Sequence, residues 1–139
     1  MILNLKTTVL ATTTALVLLG SCRAIADDPA YNEIAAFMIQ HSAALEAEIA
    51  YGEESSKLLK DEALLDAALG HKPNWRNIYG SHQLIARVLG EHTVLLMCDA
   101  NGQVALLEDS SCTPSFDKYR YKARSSCDIT YTAASICEN

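Results

Sequence analysis

Few side chains in this chain can ligate a metal, exchange disulfides or pass protons. The four histidines are His41, His71, His82 and His92. No two of them have the H-x-x-x-H or H-E-x-x-H spacing that sets two imidazoles on one helical face. No C-x-x-C occurs either, and Cys98 lies six residues beyond His92. Zinc and thioredoxin-type chemistry therefore lack their usual signatures. The sequence implies no metal site and no cofactor. It places His41 at the edge of a helix interface and the other histidines at element ends.

Nucleophilic catalysis is no better marked. There is no G-x-S-x-G elbow, and Ser110-Ser111 and Ser125-Ser126, each before a cysteine, read as loop residues. Glu46, Glu48, Glu53, Glu54, Asp61, Glu62 and Asp66 read as solvated helix faces. Glu53 and Lys57 stand in the favourable i,i+4 order. No catalytic residue is nominated.

Two features point to recognition instead. The stretch "KYRYKAR", residues 118–124, alternates so that a strand would present Lys118, Arg120, Lys122 and Arg124 on one face. Tyr119, Tyr121 and Ala123 would take the other face. The basic stripe would dock an acidic protein or anionic head groups, or it would guard an edge strand against sheet-to-sheet pairing. Trp75 and Tyr79, in the connection "HKPNWRNIYG", would anchor an interface or close the end of a core.

The five cysteines are tied to export. Lys6 and the uncharged run from Val9 to Gly20 have the layout of a secretory signal, too short for a membrane span. Two cleavage sites compete. Ala24-Ile25-Ala26 fits an ordinary signal peptidase, giving a signal of residues 1–26 and a single globular domain over 27–139. Leu19-Gly20-Ser21-Cys22 resembles a bacterial lipobox, giving a signal of residues 1–21 and a lipid on Cys22. Either cut leaves Cys98, Cys112, Cys127 and Cys137, which implies two disulfides in an oxidising compartment. Neighbour pairing, Cys98–Cys112 with Cys127–Cys137, closes the shortest loops, and the other two arrangements stay open.

Cleavage after Ala26 leaves about 113 residues, enough for one core. It removes Lys6 and Arg23, so 9 basic residues face 17 acidic ones and the net charge moves from −6 to about −8. That balance argues against nucleic-acid binding.

The elements that must position these residues divide into two halves. Asp28-Pro29 gives an N-cap and a first-turn proline. Ile34, Phe37, Met38, His41, Leu45 and Ile49 follow helical spacing up to Gly52. A second helix is expected over Glu54–Leu69, with Leu58, Leu65 and Leu69 as its stripe and Gly70 and Pro73 to stop it. A short third helix is expected from Ser81 to Gly90, on the spacing of Leu84, Ile85, Val88 and Leu89, with a strand as the rival reading of so short an apolar run. Then "TVLLMC", "DANG" and "QVALLE" read as a hairpin turning at Asn101-Gly102. "FDKYRYKA" and "CDITYTA" read as further extended pieces. The expected fold is α+β: a helical hairpin and a short third helix on a small antiparallel sheet, stapled by two disulfides.

The function this suggests is a non-catalytic protein-binding module of the bacterial envelope, an accessory, inhibitor or immunity-type factor. Its partner would be another envelope or exported protein, in the periplasm or outside the cell. It would meet membrane only through a lipid anchor at Cys22, as an outer-membrane lipoprotein. The alternative is a small exported hydrolase whose site is assembled from distant residues.

Overall fold

The computed structural model describes residues 29–112, 120–121, 126–133 and 136–137. Residues 1–28, which hold Cys22 and the expected signal, lie outside them, as do Lys118, Lys122 and Arg124; Arg120 is described by its backbone alone.

The chain opens with α1, Pro29–Tyr51, a helix of 23 residues. Its buried positions, Ala35, Met38, Ser42, Leu45 and Ile49, recur every three or four residues and form one stripe. A 3-10 turn, Glu54–Leu58, follows, and then α2, Asp61–Leu69. The helix expected over Glu54–Leu69 is thus interrupted. Leu59 and Lys60 are extended and Asp61 is left-handed, φ 50, and together they break the helix. The Asp61 carboxylate compensates by accepting the Ala86 amide at 3.3 Å and the Arg87 guanidinium. The same contacts cap the outer edge of β1. Leu58, expected on the apolar stripe, projects into solvent instead.

After a second 3-10 turn, Trp75–Tyr79, come β1, Gln83–Leu89, β2, His92–Cys98, and β3, Ala105–Ser110. A two-residue β4, Arg120–Tyr121, completes an antiparallel sheet in the order β1-β2-β3-β4. The segment expected as a third helix is therefore β1. Its apolar residues serve both sides of a strand: Leu84, Ala86 and Val88 pack toward the helices, whereas Ile85 and Leu89 pack on the other face. Gly90, φ 66, does not end a helix but opens the tight turn that pairs Leu89 with His92. The hairpin expected at Asn101-Gly102 is present. Asp99 closes it, accepting the amides of Gln103 at 2.7 Å and Val104 at 2.9 Å.

The sheet is covered twice. Leu95, Met97 and Leu107 join Met38, Leu45, Leu64, Leu65 and Leu69 beneath the helices. On the opposite face Val94, Leu96, Cys98 and Ala105 meet Cys127, Ile129, Tyr131 and Ile136 of the C-terminal segment. "CDITYTA", read as extended, forms no strand; it lies across this second face. Cys98–Cys127 and Cys112–Cys137 fasten it there, an interleaved pairing and not the neighbour pairing. Buried Glu108 adds a polar tie, accepting the Thr130 amide at 2.6 Å and the Thr130 hydroxyl. The fold is α+β with two disulfides, which point to an oxidising, non-cytoplasmic compartment. No helix among the described residues is long and apolar enough to cross a membrane.

Candidate functional site

The most connected polar group lies where α1 crosses the ends of β2 and β3. Glu46 Oε1 accepts the Nδ1–H of His92 at 2.7 Å. Glu46 Oε2 accepts the Thr93 amide at 3.0 Å and the Ser111 hydroxyl. One carboxylate therefore clasps three segments brought together from 65 residues of chain. Strand register brings the partners together. The ladder pairing Val94 with Ser110 continues through the Ser111 amide, which donates to Thr93 O at 3.3 Å. One step further it sets His92 opposite Cys112.

This corner also holds a disulfide. A ring nitrogen of His92 and the sulfurs of Cys112 and Cys137 all lie within 4.8 Å of one another. Ser110 Oγ lies 2.9 Å from Cys112 Sγ. Serine, histidine and carboxylate thus meet, but in the wrong order for a hydrolytic triad. A triad sets the imidazole between the hydroxyl and the acid. Here the acid stands between the other two, and Ser111 donates to Glu46. The arrangement orients His92 and fixes the end of the sheet; it does not activate the serine.

A second polar cluster is internal. His41 Nδ1 and the Tyr79 hydroxyl are hydrogen-bonded at 2.7 Å, with the Trp75 ring edge-on to His41 at 6.3 Å. Burial, and secondarily the Lys72 ammonium, push His41 down to about 4, so the ring stays neutral near pH 7. Burial, then the Asp109 carboxylate, push the Tyr79 phenol well above its ordinary value. These three rings fill the space between α1 and the second 3-10 turn, as packing residues of the core.

The surface feature of interest adjoins the Glu46 clasp. A groove of about 460 Å³ is lined by Glu46, Ile49, Ala50, Lys57, Glu91 and His92. Tyr51 and Leu58, next in sequence to Ala50 and Lys57, are 89 % and 87 % exposed. They are the large apolar side chains that the described residues leave to solvent. Tyr51 ends α1 and lines a separate hollow with Ala47, Glu48 and Lys72, and Leu58 ends the 3-10 turn, where the broken helix turns it outward. Nothing in the sequence period marked that outward turn.

Trp75 and Tyr79 lie in the core, 6 % and 2 % exposed. Arg76 lies over the outer face of the Trp75 ring at 4.5 Å and pairs with Asp66 at 2.9 Å and with Glu62. The side chains of Lys118, Arg120, Lys122 and Arg124 lie outside the described residues. The clasp of Glu46 and His92 had no sequence signature, because its members are 46 residues apart and only strand register joins them.

These features define a class: a disulfide-stapled α+β domain with its sheet covered on both faces. Comparison with family models finds no match, and comparisons with curated proteins and with solved structures find none either.

Proposed function

We propose that this chain is an exported, non-catalytic protein-binding module, and that it meets its partner through the exposed side chains of Tyr51 and Leu58. The carrying observation is the exposure of both side chains, the large apolar ones that the described residues leave to solvent. Each would bury on the order of 150–200 Å² against a partner, enough for an interface anchor. The groove that includes Ala50 and Lys57, their neighbours in sequence, carries charges of both signs, Lys57 with Glu46 and Glu91. A partner offering apolar side chains between polar ones suits it. The partner is another envelope or exported protein. Small size and two disulfides support an accessory, inhibitor or immunity-type role.

The compartment is the periplasm or the exterior, reached by a signal cut after Ala26. The alternative, a lipid on Cys22, changes tethering and leaves the binding surface unchanged. Intact-mass measurement of the native protein separates the two. The binding reading is tested with the double variant Tyr51→Ser, Leu58→Ser. It should keep the wild-type circular dichroism and lose the partner that co-purifies from the native envelope. Undiminished co-purification would sink this surface. Turnover of ester or peptide substrates, abolished in Glu46→Gln, would favour the hydrolase reading instead.

A further inference from the structure

The groups around His92 have a use that neither partner binding nor the clasp requires. Cys112 follows β3, His92 opens β2, and Cys137 arrives with the C-terminal segment, so three elements deliver two sulfurs and an imidazole to one corner. The two sulfurs are bonded to each other and a ring nitrogen of His92 lies within 4.8 Å of both, so once reduction parts the sulfurs three donors stand close enough to share one tetrahedral cation. Glu46 already holds Nδ1 of His92. That is the carboxylate–imidazole relay that fixes tautomer and ring orientation in protein metal sites, and it leaves Nε2 to coordinate.

The two disulfides differ in access. Cys98 is wholly buried in the sheet. Cys137 is exposed, and its backbone is left-handed, φ 69, a conformation costly for a residue with a Cβ. A reductant therefore reaches Cys112–Cys137 first, while Cys98–Cys127 keeps the C-terminal segment on the sheet.

We propose that the Cys112–Cys137 disulfide masks a zinc site, formed when a dithiol reduces it, from the two thiolates and His92. The dithiol supplies two electrons and two protons: the S–S bond breaks, two cysteine thiols form, and the reductant leaves as its own disulfide. Zn²⁺ then displaces both thiol protons and binds two thiolates and one neutral imidazole. The complex has no net charge, and a fourth position faces solvent. A thiolate-rich set with one imidazole selects a thiophilic cation over Mg²⁺ or Ca²⁺.

The test uses the purified exported chain with both disulfides formed. It is treated briefly with a dithiol, desalted without oxygen, and either alkylated for mass mapping or titrated with Zn²⁺ against a chromophoric chelator. Labelling should appear at Cys112 and Cys137 before Cys98 and Cys127. The reduced protein should bind one Zn²⁺ with release of two protons, and the oxidised protein should bind none at that affinity. His92→Ala should weaken binding by at least about tenfold, and Glu46→Gln by about tenfold. Cys112→Ser, Cys137→Ser should abolish it while its circular dichroism shows the sheet intact. If reduction loosens the fold, added Zn²⁺ should restore the spectrum. Earlier labelling of Cys98 and Cys127 would overturn the proposal. So would a reduced protein that binds zinc no better than the oxidised form, equal binding by His92→Ala, or an unfolded reduced chain that zinc does not rescue.

Discussion

His41 couples stability to pH, and the size of the effect can be worked out. The imidazole is only 3 % exposed, bonded to Tyr79, and held at about 4 against 6.5 in the unfolded chain. A depressed histidine penalises the native state wherever the unfolded ring would carry a proton that the native ring refuses. Stability is therefore full above about pH 6.5 and is lost as pH falls toward 4. Between about pH 7 and about pH 4.5 the loss from this residue is roughly 2 kcal/mol, since each tenfold difference in proton affinity is worth about 1.4 kcal/mol. His41→Gln keeps an amide opposite the Tyr79 hydroxyl and cannot titrate. Urea unfolding of both proteins at the two pH values isolates the contribution, because the carboxylates common to both cancel. The variant should lose about 2 kcal/mol less than wild type on acidification. Equal losses would refute the reasoning, as would a native His41 resonance that titrates near pH 6.5.

Other perturbations test the packing. Cys98→Ala, Cys127→Ala should cost about 3–4 kcal/mol in chemical unfolding, since the bridge spans 29 residues and Cys98 is buried. Glu108→Ala leaves the Thr130 amide without its acceptor and should cost about 2–3 kcal/mol, read by the same assay. Asp99→Ala removes the acceptor that closes the β2–β3 hairpin, so amide exchange at Gln103 and Val104 should quicken. The amides of Val104 and Gln103 hold the Asp99 carboxyl below its ordinary range. Its contribution is thus present above the unfolded carboxyl value and fades as pH falls through the native one.

Local chemistry decides which elements are legible in the sequence. α1 is legible because proline, alanines and a helical apolar period agree over more than six turns. The β2–β3 hairpin is legible because Asn101-Gly102 separates two apolar runs, and Gly102 does take a positive φ of 67. β1 is not, because a strand packed on both faces loses its alternation, and Leu84, Ile85, Val88 and Leu89 then mimic a helix. Gly90 adds to the ambiguity, since a left-handed glycine ends helices and opens hairpins alike. The signal that separates the two is a Gly-first, two-residue turn between Leu89 and His92. The disulfide pairing depends on the C-terminal segment crossing the second face of the sheet, which no local pattern encodes. The corner of Glu46, His92 and Cys112 follows from strand register, so it becomes visible only once β2 and β3 are aligned.

Photo-crosslinking in the native cell tests whether Tyr51 and Leu58 form the contact surface of a binding module. A photoreactive residue replaces Leu58 in one strain and Gln103, exposed on the β2–β3 hairpin, in another. One discrete protein adduct is expected from position 58, lost when Tyr51→Ser is added, and none from position 103. The same adduct from both positions, or none from position 58, would contradict it.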